Sequence, residues 1–176
     1  NARLGTSSAA IVSGVITPQA SDYLFGGRGT LTVNSALVDV AGSSEVQVYD
    51  GGQVFLHGAN TYTGDTEAVS GAIIFNGANS IPSAPDLYAD TNGYIGQTET
   101  AAGSLTANQY FALFYTPDTF GVVGFDADNP VVGRIVTDNI DFSIFDHDAY
   151  LGTATKVTFT GSINPYHNTV RFTGFR

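Results

Sequence analysis

The chain has 176 residues, a formal net charge of −10 at pH 7 and six Lys and Arg residues. A chain of this length can bury a core of its own, and its hydrophobic content of 43% argues against a disordered protein. Because nucleic acids and anionic membranes are bound through clustered cations, we expect neither as a partner. The absence of cysteine excludes disulfides and thiolate chemistry. The absence of an apolar run of about 18 residues predicts no membrane span.

The first half of the chain consists of short runs of strand-forming residues separated by turn signals such as Asp50-Gly51-Gly52. The predicted strands are Ala10–Thr17, Gly29–Asn34, Leu37–Val40, Val46–Tyr49, Gln53–Leu56 and Ala72–Phe75. Such spacing fits a β-sandwich of hairpins as well as the stacked coils of a β-solenoid.

The second half contains the one predicted helix. Ser104 is a candidate N-cap for a helix over Leu105–Phe114, in which Ala107, Tyr110, Phe111 and Phe114 share a face. This aromatic face predicts a helix that covers the core. Further strands are predicted at Gly121–Phe125, Val131–Val136, Asn139–Phe142, Lys156–Ile163 and Val170–Phe172.

The stretch between Gln53 and Ser83 has glycine and asparagine wherever a corner is expected. We predict a structural motif that consists of Gly58, Asn60, Tyr62, Gly64, Gly71 and Asn79. Glycine and asparagine tolerate the positive φ angles of corners. Asn60 and Asn79 are expected to be buried and to bond the backbone of the next coil, with Tyr62 as a lid whose hydroxyl reaches solvent.

These residues carry a resemblance to a known family. The runs Gly58-Ala59-Asn60-Thr61-Tyr62-Thr63-Gly64, Val69-Ser70-Gly71 and Asn76-Gly77-Ala78-Asn79-Ser80 resemble the autotransporter-associated β-strand repeat of bacterial surface proteins. The resemblance covers only this stretch. It implies an all-β fold, a right-handed parallel β-solenoid, and an extracellular or bacterial cell-surface location. The predicted helix would be the one short covering helix of this fold. The β-sandwich stays open as the alternative fold.

A second internal pattern links the two ends of the chain. Residues 3–28 resemble residues 150–175 at a constant offset, as from Leu4 to Leu151. We predict that the matched residues form repeat junctions: Leu4, Gly5, Ile16, Pro18 and Phe25 in the first copy, and Leu151, Gly152, Ile163, Pro165 and Phe172 in the second. The pattern predicts a single domain over 1–176, made of one unit plus the start of the next, whose end coils occupy equivalent places in successive units. The first residue is Asn1, so a processed chain or an excerpt is expected.

Acidic residues are concentrated in the second half of the chain. Asp126 with Asp128, or Asp146 with Asp148, could supply part of a calcium site, although aspartate at turns that bonds its own backbone explains the same pattern. No other cofactor is expected. Paired carboxylates also suggest a polysaccharide-acting enzyme, but the chain has no Trp to serve as a sugar platform. We therefore expect no enzyme and no catalytic residues.

The favoured function is structural. The chain is expected to be a segment of a bacterial cell-surface or secreted fibre or adhesin stalk, whose partner is itself, through tandem repetition or head-to-tail assembly of solenoid units. The alternative is an extracellular module that binds calcium or a surface glycan, with Tyr88, Tyr94 and Tyr115 as contacts for the glycan. An enzyme is the least favoured of the three.

Overall fold

Strands of this chain pair in parallel with the strands one turn earlier and one turn later, which makes the fold a β-solenoid of about seven turns. The computed structural model describes residues 2–18, 20–83, 86–100, 103–145 and 149–174. The predicted β-solenoid is confirmed and the alternative β-sandwich is wrong. A sandwich of hairpins pairs successive strands in antiparallel fashion, whereas the strands here pair in parallel with the equivalent strands of neighbouring coils.

The strands are short, between two and five residues. In chain order they are β1 (Leu4–Gly5), β2 (Ala9–Val12), β3 (Tyr23–Gly26), β4 (Thr30–Val33), β5 (Val46–Val48), β6 (Gln53–Leu56), β7 (Thr66–Ala68), β8 (Ala72–Phe75), β9 (Leu87–Ala89), β10 (Tyr94–Thr98), β11 (Val122–Asp126), β12 (Arg134–Val136), β13 (Ile140–Asp141), β14 (Tyr150–Thr153), β15 (Val157–Phe159), β16 (Ile163–Asn164) and β17 (Arg171–Gly174).

Two long sheets form the walls of the solenoid. The larger has eight strands in the order β2-β4-β6-β8-β10-β11-β14-β17, and the second has five in the order β1-β3-β5-β7-β9. The pairs β12-β15 and β13-β16 form a further wall in the last coils. Because every strand stacks on the equivalent strand of the next coil, a residue at a given position in the sheet has an equivalent in each coil.

The core lies inside the coils and follows from the alternation of side chains along each strand. In β4 and β6 every second residue is buried, as expected for strands with one face in the core. The central strands β8, β10 and β11 are buried on both faces. The inward row Val54, Ile73, Ile95, Val123 and Leu151 runs through five successive strands and is fully or almost fully buried.

The one α-helix, α1, spans Ala107–Phe111 and is shorter than predicted. Its N-cap is Thr106, not Ser104, because Thr106 and Gln109 form a reciprocal capping box. The predicted role as a core cover is confirmed, since Tyr110 and Phe111 are fully buried. Short 3-10 helices lie at Ala78–Ser80, Thr116–Asp118 and Phe142–Ile144. Among the described residues, no helix has the length and hydrophobicity that crossing a membrane requires.

Candidate functional site

The predicted corner motif contains one side chain that links three coils. The Oδ1 atom of Asn60 accepts the backbone N–H of Leu37 (2.9 Å) from the coil before, and its Nδ2 donates to the carbonyl oxygen of Ser80 (2.6 Å) in the coil after. Asn60 is buried, so these bonds replace hydration that the side chain loses. Asn79 differs from the expectation. It is exposed on the 3-10 helix, and the backbone of Ser80 occupies the corner instead.

Tyr62 is a core residue and not a lid with a solvated hydroxyl. Its side chain is 1% exposed, and its hydroxyl shares a hydrogen bond of 2.6 Å with the hydroxyl of Thr66. Burial raises the pKa of Tyr62 above its ordinary value. The side chain therefore closes the interior of the coil, and its polar atom is satisfied there.

The glycines of the motif are required by the distance between coils and not by positive φ angles. Gly58, Gly64 and Gly71 all lie outside the left-handed region. A Cβ atom on Gly58 would collide with the carbonyl oxygen of Ser35, and one on Gly64 with that of Ser44. The backbone of one coil thus rests on the backbone of the coil below at these points.

The two matched ends form coils of the same size. Leu4 lies opposite Phe25 in β1 and β3, and Leu151 lies opposite Phe172 in β14 and β17, so both coils advance by the same length of chain. However, β1 belongs to the five-stranded sheet and β14 to the eight-stranded one. The offset between the matched stretches therefore does not correspond to a whole number of turns, and the matched strands lie on different walls.

The first end holds a cleft lined by apolar residues together with Arg3, Thr17 and Asp22. Its volume is about 550 Å³, and its lining includes four of the predicted junction residues, Leu4, Ile16, Pro18 and Phe25. The fifth, Gly5, lies opposite Gly26 and could not carry a Cβ atom without colliding with the carbonyl oxygen of that residue. Four of the five junction residues of this end thus line one cleft.

The second end also leaves the core open within the described residues. Phe172 continues the buried row of Val123 and Leu151, yet its side chain is 62% exposed. Gly152 lies opposite Thr173, whereas Ile163 pairs with Ile140 and is, like Pro165, half-buried. An aromatic residue at an inward position is exposed here because no described strand lies above it.

Of the calcium candidates, the described pair Asp126 and Asp128 differ in their surroundings. The side chain of Asp126 is fully buried, and its oxygens accept hydrogen bonds from the Tyr94 hydroxyl (2.6 Å), the Ala154 N–H (2.8 Å) and the Thr155 hydroxyl (3.2 Å). Asp128 lies in the exposed turn that follows. Asp146 and Asp148 lie outside the described residues. Within the described part of the chain, no three His, Asp or Glu side chains are arranged to hold a metal ion.

Asp126 belongs instead to a buried polar cluster that the sequence did not indicate. Arg134 donates to the carbonyl oxygens of Gln97 (2.8 Å) and Asp126 (3.4 Å) and to the hydroxyl of Ser104 (3.2 Å). Its Nε atom lies 3.7 Å from the carboxylate of Glu99. Burial raises the pKa of Asp126 and lowers that of Arg134. Because Asp126 and Arg134 are closed to solvent and bonded to the backbone and side chains of neighbouring coils, the role of the cluster is to fix one coil on the next.

An acidic face runs along the outside of the five-stranded sheet. The carboxylates that directly precede β3, β5, β7 and β9 are stacked coil upon coil; these residues are Asp22, Glu45, Asp65 and Asp86. Together with Gln47, Glu67 and Tyr88, the residues Glu45 and Asp65 line a shallow cleft of about 270 Å³. Successive coils lie about 4.8 Å apart, so the stacked carboxylates repel one another.

The three tyrosines of the glycan hypothesis have different surroundings. Tyr88 and Tyr115 lie on this acidic face with ring centroids 5.4 Å apart, and Tyr115 is 42% exposed. Burial, followed by nearby acidic groups, raises the pKa of Tyr88 to about 12. Tyr94 is fully buried against the outer side of the eight-stranded sheet, so it cannot be a surface contact.

We expect the stability of the protein to rise when the pH is lowered from 7 to about 4.5. Burial and then neighbouring carboxylates raise the pKa of Glu45 and Asp65 above the ordinary values of 4.5 and 3.8, and burial followed by Asp90 raises that of Glu67. The folded state then binds protons more tightly than the unfolded chain. The stability that these groups contribute is fully present below their ordinary pKa values, and it is lost as the pH rises through their raised pKa values in the folded protein. Thermal unfolding at the two pH values measures the effect.

Two variants provide controls with opposite signs. Glu67→Gln should raise the melting temperature at pH 7 and reduce its dependence on pH, because the amide still accepts the hydrogen bond from Gln47. Asp39→Asn should lower the melting temperature at pH 7. Hydrogen bonds from the backbones of Ser44 and Thr63 lower the pKa of Asp39 in the folded protein. The stability that Asp39 contributes is therefore present above its ordinary pKa and is lost only when the pH falls through the lowered pKa. A melting temperature that falls steadily towards pH 4.5 would contradict this account.

Comparison with protein-family models, with curated proteins and with solved structures found no match to this chain.

Proposed function

We propose that the chain is a structural rod segment of a bacterial cell-surface or secreted fibre, related to the autotransporter-associated β-strand repeat. The observation that carries this proposal is the open core at both described ends, where Phe172 at one end and the cleft around Leu4 at the other lack a covering coil. Unpaired strand edges and open cores are satisfied by further coils of the same kind. The function is then to hold other material away from the cell.

The construction of the coils supports a mechanical role. Hydrogen bonds run along the axis in every sheet, and side-chain bonds of Asn60 and Asp126 add further links between coils. Seven coils at a spacing of about 4.8 Å give a segment about 34 Å long. The buried polar groups of the Asp126 cluster bond other groups of the protein, both backbone and side chain, which fits a scaffold better than a site that exchanges ligands.

A second candidate function is a binding module on the acidic face. The cleft that Glu45, Glu67 and Tyr88 line is the observation that favours it. A binding module of this kind would be stabilised by calcium or by a glycan, and the stabilisation would grow with ligand concentration.

Negative-stain imaging and intact-mass measurement of the native protein test the structural proposal. We expect rods, either from a chain well above 18.4 kDa that repeats the unit covalently or from filaments of the 18.4 kDa chain. Separate globular particles of 18.4 kDa whose melting temperature rises with calcium or with a glycan would overturn the structural function and favour the binding module.

A further inference from the structure

We propose that a second copy of this chain docks end to end, with its β2 paired in parallel to β17 of the first copy. The eight-stranded sheet would then continue from one copy into the next. This inference rests on the proposed function and adds the partner and the register of the contact. The two strands are the two outer strands of that sheet, and they have equal lengths.

The register follows from the columns of the eight-stranded sheet, that is, from the residues that lie opposite one another in successive strands. Seven consecutive strand pairs place Ala9 and Arg171 at the two ends of one column. If the sheet continues without a shift, Phe172 lies opposite Ala10 of the second copy, and Thr173 lies opposite Ile11. Phe172 and Ala10 then point into the core, whereas Thr173 and Ile11 point outwards.

The side chains at this junction are complementary in size. Phe172 occupies a core position and is 62% exposed, whereas Ala10 is small, half-buried and part of the edge of the core. A large residue against a small one fills a layer without overlap. In the same register Val12, which also packs against the edge of the core, lies opposite Gly174.

The coils that meet have the same length. The chain advances equally far from Leu4 to Phe25 in the first coil and from Leu151 to Phe172 in the last. The coil from Ile95 to Val123, before the second end, contains more residues than either. The last coil is therefore as long in sequence as the first coil.

The contact uses two different surfaces of the same chain. Each copy presents one first end and one second end, so the interaction is heterologous and generates an open filament and not a closed dimer. The acidic faces of successive copies would lie along the filament, since they occupy the outside of the five-stranded sheet. Of their carboxylates, Asp22 also lines the cleft at the first end.

Cysteine cross-linking tests the register, and it is clean because the chain has no native cysteine. Ile11→Cys and Thr173→Cys variants, differently tagged, are mixed and oxidised. We expect a disulfide-linked heterodimer with a yield at least about tenfold above that of an Ala10→Cys and Thr173→Cys mixture, because adjacent residues of a strand point to opposite faces. Association without this difference would show a different register and would overturn the inference.

Sedimentation of the unmodified chain and of Phe172→Asp completes the experiment. The unmodified chain should associate as its concentration rises. Phe172→Asp should give the circular dichroism of the folded protein, but its association constant should be at least about tenfold lower, because a carboxylate would be buried in the contact. A chain that stays monomeric at high concentration would overturn the docking. If the native protein still forms rods of covalently repeated units, the structural function survives that result; globular particles would reject both.

Discussion

Replacing Asp126 by alanine is expected to lower the free energy of unfolding by about 3–5 kcal/mol. The carboxylate is fully buried and accepts hydrogen bonds from the side chain of Tyr94 and from both the backbone of Ala154 and the side chain of Thr155. Its removal leaves these donors without an acceptor in a closed site, and it also removes a negative charge close to the buried Arg134. The loss of hydrogen bonds in a buried site is costly because no water replaces them.

Denaturant unfolding of the variant and of a matched control measures this effect. Asp128→Ala removes the same group two residues further along, at an exposed position, and should change the free energy by less than about 0.5 kcal/mol. Equal effects of the two substitutions would show that Asp126 stabilises the protein only through local turn structure. An unchanged stability of Asp126→Ala would mean that the buried cluster does not hold the coils together.

Strand positions could be predicted where the sequence has a clear apolar pattern. The predicted Gln53–Leu56 and Ala72–Phe75 coincide with β6 and β8. The strand β7 (Thr66–Ala68) could not be predicted, because Thr-Glu-Ala has weak strand propensity. It becomes a strand by pairing with β5 on one side and β9 on the other. Stacking between distant residues thus determines the strand, and no local signal reports it.

The opposite error occurs at the corners. Leu37–Val40 has the apolar character of a strand, but it forms a corner in which the backbone of Leu37 is held by the side chain of Asn60. Likewise, the predicted Lys156–Ile163 contains two strands, β15 and β16, that lie in different sheets. Apolar composition indicates burial in both cases. It does not indicate whether a buried segment runs straight or turns.

The candidate sites show the same division between local and long-range information. A constant offset in the sequence connects the two ends, and both ends form coils of equal length, but the matched strands lie in different sheets, and the junction itself stays a prediction. The buried cluster around Asp126 was not predictable. Its only signal in the sequence was Arg134, a charged residue at the start of the apolar strand β12. Its members come from β10, β11, β12 and the turn after β14, and only the stacking of coils brings them together.

Replacing Gly58 by alanine is expected to lower the free energy of unfolding by about 3 kcal/mol, at the upper end of the range for an added methyl group in a packed site. The new Cβ would overlap the carbonyl oxygen of Ser35 in the coil below. Because this obstacle is backbone, it cannot move aside as a flexible side chain could. The two coils must separate, and the hydrogen bond between Asn60 and Leu37 would lengthen with them.

Gly14→Ala is the matched control, since an added Cβ there meets no atom within 4 Å and its φ angle lies outside the left-handed region. It should be neutral or slightly stabilising, because alanine restricts the unfolded chain more than glycine does. If Gly58→Ala changed the stability as little as Gly14→Ala, the coils would be able to move apart at little cost. The comparison thus measures how closely the coils must stack, and close stacking is the property on which a rigid rod depends.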